Sequence, residues 1–312
     1  MSSNAPRKLF IIGCPRSGTT WMQLLLAQHP QVATAPETQI FAYYLDHFRR
    51  QWQHEHNGPG RAHQGRAGLS RLLSEDEFLE LCRATAEHVM AKIAARNTGA
   101  VVIAEKSPRH ALEAEFIQRV FPEAMFLHVV RDPRDTAASL LAAGRDWAPW
   151  APKSAIGAAK LWQECVEGAR RAAGSPRYRE VRYERLTQDA VAELGDVLDW
   201  LGVPMSAADC EAAVQACSLD RLSKENVGSA LPLPGEKSPT GFFRNGSSGG
   251  WRSELSNADV RAIEQVCGET MEVLGYERVA GGRRSLRVPL HRAVVRLREG
   301  IDWQLEKMAR RI

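Results

Sequence analysis

The chain has 312 residues, 44% apolar and 25% charged, with a formal charge of +4. This is ordinary for a soluble globular protein with room for one large α/β domain or two modest ones. The mild positive charge suits an anionic small ligand and is far from a nucleic-acid-binding footprint. Cys14, Cys82, Cys165, Cys210, Cys217 and Cys267 are scattered without CxxC pairs and read as free thiols of a reducing cytosol. No apolar signal core precedes the first strand, and no apolar run approaches the ~18 residues that span a bilayer. A cytoplasmic protein without a membrane span is expected.

Leu9–Ile12 reads as a buried strand running into Gly13-Cys14-Pro15-Arg16-Ser17-Gly18-Thr19-Thr20 and a helix over Thr19–His29. A glycine-rich turn between strand and helix holds phosphate on backbone N–H groups at the helix N-terminus. The spacing Gly13 to Gly18 fits the nucleotide-binding P-loop, but Thr19 stands where that motif has lysine. The cation sits inside the loop instead, at Arg16. The loop therefore suits a phosphate-like group other than the triphosphate of ATP or GTP.

Next come a strand over Val32–Ala35 that leads to Glu37, a Gly/His/Gln/Arg-rich loop over Asn57–Gly68, and a helix over Ser74–Arg96. A strand over Ala100–Ala104 is followed by Glu105-Lys106-Ser107-Pro108 and a helix over His110–Phe121. Strand Met125–Val130 runs into Arg131-Asp132-Pro133, with Asp132 as N-cap of a helix over Pro133–Ala143 that carries Ser139. A loop over Gly144–Lys153 carries Trp147 and Trp150, a helix covers Ser154–Gly174, and a last strand covers Glu180–Tyr183. Ser223–Gly241 is proline-rich, and Phe242–Arg252 is a glycine-rich segment in which Arg244 and loop N–H groups make a second anion nest. The tail from Pro289 has apolar residues at helical spacing among arginines. Continuously apolar strands alternating with helices argue for a parallel sheet covered on both faces, with ligands at the carboxyl ends of its strands.

PRSGTTW at 15–21, RDPRDTAAS at 131–139 and FFRNGSSGGW at 242–251, in that order, resemble the sulfotransferases that use 3′-phosphoadenosine-5′-phosphosulfate (PAPS). The similarity runs from residue 8 to about 276. It implies a P-loop-type three-layer α/β/α fold with a central parallel sheet over residues 1–280. Residues 41–97 would be a helical insertion on the acceptor side and 223–252 a lid and 3′-phosphate loop, with a basic amphipathic helix over 281–312. Such a helix packs on the body, a membrane surface or a second subunit, which allows a homodimer.

The resemblance also implies roles. Arg16, Ser17, Gly18, Thr19 and Thr20 hold the 5′ end of PAPS, and Trp21 stacks on adenine. Arg131, Ser139, Arg244, Asn245 and Gly246 meet the 3′-phosphate, and Phe243 and Tyr183 belong to the nucleotide site. Arg16 stabilises the leaving phosphate; arginine there resembles the tyrosylprotein branch. Lys106 lies near the sulfonate, in a Glu-Lys-Ser-Pro string that resembles the heparan branch. Cytosolic members carry a histidine base where this chain has Pro108. Glu37, 21 residues after Arg16, is the expected base, with His110 as the alternative. No metal is implied. A variant P-loop kinase or NTPase and a catalytically silent nucleotide-binding protein remain alternatives, and the identity of the acceptor hydroxyl is open.

Overall fold

The computed structural model describes residues 5–57, 68–218, 220–222, 241–244, 246 and 248–279. Residues 58–67 of the expected Asn57–Gly68 loop, 223–240 of the expected 223–252 lid and 3′-phosphate loop, Asn245 and the tail over 281–312 lie outside the described residues.

Five strands, β1 (Arg7–Ile12), β2 (Val32–Thr34), β3 (Val102–Lys106), β4 (Met125–Val130) and β5 (Tyr178–Arg182), form one parallel sheet in the order β2-β3-β1-β4-β5. Side chains alternate across a strand. Phe10 and Ile12 of β1 therefore enter one core, while Leu9 and Ile11 enter the other. Burial on both faces is why these strands read as apolar runs. The core holding Leu9 is covered by α1 (Thr19–Leu26), α8 (Ala190–Trp200) and α9 (Ala207–Ala216). The opposite core is covered by α2 (Asp46–Asn57), α3 (Glu75–Ala94), α4 (Ala114–Val120), α5 (Pro133–Asp146), α6 (Ala155–Arg170) and α11 (Asn257–Val273). Two short helices, α7 (Tyr183–Gln188) and α10 (Trp251–Glu254), sit at the carboxyl edge of the sheet. This is the three-layer α/β/α arrangement of P-loop proteins.

Local signals account for the helix starts. Ser74 and Glu77 form a capping box on α3, and Asp132 caps α5 by accepting from the Arg134 N–H, with Pro133 in the first turn. Several expected elements shift, among them the last strand, which starts two residues earlier and ends at Arg182, so that Tyr183 opens α7. β3 starts two residues later than expected, because the 97–101 segment is held in a turn by Asn97 and Gln31 carbonyls. Its end therefore carries Glu105 and Lys106. The expected helix over His110–Phe121 divides into a 3-10 segment, Pro108–Glu113, and α4. The tryptophan loop begins only at Trp147, since α5 continues through Asp146. All six cysteines are buried and none is in a disulfide. Among the described residues no helix is long and apolar enough to cross a membrane.

Candidate active site

β1 delivers the glycine-rich loop to the centre of the sheet's carboxyl edge. A Cβ at Gly13 would lie 2.5 Å from the Val129 carbonyl oxygen, so only glycine lets the loop pass β4. At Gly18 the backbone is left-handed (φ +99°), and a Cβ would lie 2.3 Å from the Tyr183 ring. α1 starts directly after it with no side-chain cap, which leaves its first-turn N–H groups facing the cleft. Ser17 is 1% exposed, and its hydroxyl has no hydrogen-bond partner among the described residues. An orphaned buried hydroxyl beside a helix N-terminus fits an anion with several acceptor oxygens.

The sheet order sets the rest in a row. Moving outward from the loop on one side, the chain meets Lys106 at the end of β3 and then Glu37 after β2. On the other side it meets Arg131 after β4 and then Tyr183 after β5. The cleft between them has a volume of about 310 Å³.

On the β2–β3 side, Lys106 Nζ lies 2.5 Å from Glu37 Oε1 and donates to Thr20 Oγ1 at 3.2 Å. Lys106 is 1% exposed while Glu37 is 33% exposed, so the carboxylate faces the cleft and the ammonium stands behind it. Gln39 Nε2 donates to the other Glu37 oxygen at 2.7 Å. The outer wall carries Tyr43, 53% exposed, with the Arg109 guanidinium 5.8 Å from its ring centre. Trp150, 51% exposed, stands against Trp147 with ring centres 6.4 Å apart.

On the β4–β5 side, Arg131 donates to the Arg16 carbonyl at 3.2 Å and lies over the Tyr183 ring at 4.4 Å. Trp162 Nε1 donates to the Arg131 carbonyl at 2.9 Å, which fixes the backbone at the end of β4. Arg16 itself is left-handed (φ +75°). Its Nε donates to Ser139 Oγ at 3.1 Å and its Nη2 to the Phe242 carbonyl, beneath the Phe242 ring at 4.9 Å. Burial, and then the neighbouring Arg131 and Arg244, push the Arg16 guanidinium down to about 10. Tyr183 donates its hydroxyl to the Gly246 carbonyl at 3.0 Å, and burial pushes its phenol up.

Most expected residues therefore converge on one cleft, with four qualifications. His110 is fully buried, and its Nε2 accepts the Phe41 N–H at 3.0 Å while Nδ1 faces Glu105 Oε2 at 2.8 Å. The ring is fully buried and its Nε2 is taken by the Phe41 N–H, so His110 is not placed to act as base. Arg16 turns toward Ser139, so the loop and the 3′-phosphate residues touch rather than stand apart. Arg244 pairs with Glu254 at 2.6 Å, so its charge is shared. Trp21 donates Nε1 to the Cys217 carbonyl and meets Tyr183 edge-on. Phe243 lines the cleft beside Phe242, and Asn245 lies outside the described residues.

Sequence reasoning missed Asp135, whose carboxylate takes the Gly249 N–H at 2.7 Å and the Trp251 N–H at 3.0 Å. It thereby anchors the glycine-rich segment on α5. Gln39 and Phe242 were also missed. An acidic residue four positions into the Arg131 motif was the available signal for Asp135. Gln39 and Phe242 had none beyond adjacency.

A model described as the Sulfotransferase family matches residues 6–207. Nodulation protein NoeE of Sinorhizobium fredii is 26% identical over 300 residues, covering 88% of this chain and 67% of that protein. A protein-tyrosine sulfotransferase of Drosophila melanogaster is 27% identical over 203 residues, covering 64% of this chain and 39% of that protein. The chain thus spans about two thirds of the first relative and well under half of the second. The structure of mouse sulfotransferase SULT7A1 complexed with PAP superposes with a TM-score of 0.54 at 15% identity, covering 85% of each chain. That likeness is one of fold.

Proposed function

The chain belongs to the sulfotransferase family, and we propose that it transfers the sulfuryl group of PAPS to an acceptor hydroxyl, releasing adenosine 3′,5′-bisphosphate (PAP). The observation that carries this reading is the contact chain Glu37–Lys106–Thr20, which joins a cleft-facing carboxylate to the glycine-rich loop through a buried ammonium. The exclusion of a triphosphate rests on Thr19 in the lysine position.

PAPS supplies an electrophilic sulfur and a phosphate leaving group. The protein's part is to hold, to orient and to take one proton. First-turn N–H groups of α1 and the hydroxyls of Ser17, Thr19 and Thr20 are assigned to the 5′ end. Arg16 is assigned to the charge that develops on the leaving phosphate and Lys106 to the sulfonate oxygens. Arg131, Ser139, Arg244 and the Gly246 segment are assigned to the 3′-phosphate. Glu37 takes the proton of the attacking hydroxyl. A carboxylate is a weak base for an alcohol, so it depends on close placement, which Lys106 and Gln39 provide by engaging both of its oxygens.

The half-exposed Tyr43 and Trp150 rings at the mouth support an acceptor with a flat apolar or aromatic face. Labelled PAPS offered phenols, lipids, glycans and tyrosine peptides tests this. A nucleotide comparison tests the donor. PAP at ~100 times its Kd stabilises the fold by about 2.7 kcal/mol and raises the melting temperature. Mg-ATP leaves it unchanged, and a shift with Mg-ATP alone returns the protein to the kinases and NTPases.

A further inference from the structure

Resting on the assignment of Glu37 as base, we propose that Glu105 and His110 are positioning residues, a buried carboxylate–imidazole hub that clamps residues 38–41 and so aims Glu37. Four successive backbone N–H groups end on this hub. The Thr38 N–H donates to Glu105 Oε1 at 3.1 Å. The Gln39 N–H donates to Ser107 Oγ at 3.0 Å, and Ser107 donates onward to Glu105 Oε1 at 2.7 Å. The Ile40 N–H donates to Thr38 Oγ1 at 3.2 Å, and Thr38 Oγ1 donates onward to the same carboxylate oxygen at 2.7 Å. The Phe41 N–H donates to His110 Nε2 at 3.0 Å, and His110 Nδ1 lies 2.8 Å from Glu105 Oε2.

The proton positions follow from chemistry. A backbone N–H only donates, so Nε2 presents its lone pair and the ring proton sits on Nδ1, the nitrogen 2.8 Å from the carboxylate oxygen. Glu105 thus selects the tautomer that leaves an acceptor for Phe41. The segment has a conformation that needs holding, because Gln39 is left-handed at φ +54°, a backbone region that residues with a Cβ rarely adopt. Gln39 in turn donates its side chain to Glu37. Strand alternation lets three adjacent residues at the end of β3 serve both purposes. Glu105 and Ser107 face the clamp, while Lys106 faces Glu37 and Thr20.

Two substitutions in the full chain test the hub, with PAP as the nucleotide probe and naphthol as the probe acceptor. Glu105→Gln replaces an acceptor by an N–H donor among groups that already donate. His110→Asn keeps a donor toward Glu105 and removes the acceptor for Phe41 together with the ring contacts to Phe10 and Phe41. In the PAP complex, amide exchange is expected to rise about tenfold or more at 38–41 in Glu105→Gln and at Phe41 in His110→Asn, with residues 13–20 unchanged. Affinity for PAP stays within about twofold, and kcat falls by about 10- to 100-fold without a rise in KM for PAPS. In a Glu37→Gln background neither substitution lowers kcat further. Unchanged exchange at 38–41, a parallel loss of PAP affinity, or losses that multiply with a slow Glu37→Gln overturn the positioning role and leave the base reading standing. A Glu37→Gln variant that turns over normally sinks the base reading instead, whatever the exchange shows.

Discussion

The two flanks of the glycine-rich loop are built on opposite electrostatic plans. On the β2–β3 flank, opposite charges meet: Lys106 faces Glu37, and Glu105 is ringed by donors. On the β4–β5 flank, Arg16, Arg131 and Arg244 gather around the same cleft, close enough that the last two help push Arg16 down to about 10. Of the carboxylates lining that flank, Asp135 is turned to the N–H groups of Gly249 and Trp251, and Glu254 offsets Arg244 alone. A compensated flank suits a neutral hydroxyl beside its carboxylate. A flank of crowded cations gains most from a multiply charged anion. The difference fits an acceptor beside Glu37 and a nucleotide phosphate beside Arg131.

The largest effect that would sharpen this contrast is on turnover. Glu37→Gln is expected to lower kcat by ~10²-fold or more, the scale of a lost general base, while calorimetric PAP affinity stays within about twofold. Near-normal turnover would remove the proton-transfer role from the β2–β3 flank. Arg131→Ala should act on the other quantity, weakening PAP binding by roughly 10- to 100-fold, since hydrogen bonds to charged groups contribute about 1.5–3 kcal/mol. If only kcat falls, Arg131 belongs with the reacting groups and the two flanks are not distinct. Gly18→Ala forces a Cβ toward the Tyr183 ring at a left-handed position and should destabilise the fold by about 1–3 kcal/mol, read from denaturant unfolding. Tyr183→Phe removes the bond to the Gly246 carbonyl, worth about 1 kcal/mol, and should weaken PAP about fivefold.

The smallest effect is on the pH dependence of stability. Burial alone would raise the Glu105 carboxyl, but His110, Thr38 and Ser107 outweigh it and hold the group at about 2, against 4.5 unperturbed. A lowered carboxyl contributes stability that is present above 4.5 and fades as pH falls toward about 2. Unfolding free energies of Glu105→Gln should therefore slope less steeply with pH in that window. Equal slopes would mean the hub does not hold Glu105 ionised in the fold.

Much of this is legible in the sequence. The glycine spacing, Thr19 in the lysine position and the cation at Arg16 mark an anion loop because backbone geometry and charge are local properties. The Asp132-Pro133 start of α5 and the apolar runs of the strands are local as well. His110 shows where such reading stops. Its place near the third strand fits a base, yet a divided helix turns the ring inward onto Glu105 and Phe41. Glu105 and Lys106 are neighbours in the chain and do opposite things, because the strand continues two residues past its expected end and alternation sends their side chains to different faces.

Short-range chemistry thus wrote the anion loop, the helix caps and the list of charged residues into the chain itself. The neighbours of each strand were another matter. The order β2-β3-β1-β4-β5 arises from packing two helical layers against one sheet, and it alone sets Glu37 and Lys106 on one side of the loop and Arg131 and Tyr183 on the other. Contacts across more than a hundred residues, such as Arg16 with Ser139 and Asp135 with Trp251, depend on that packing and leave no trace in local spacing.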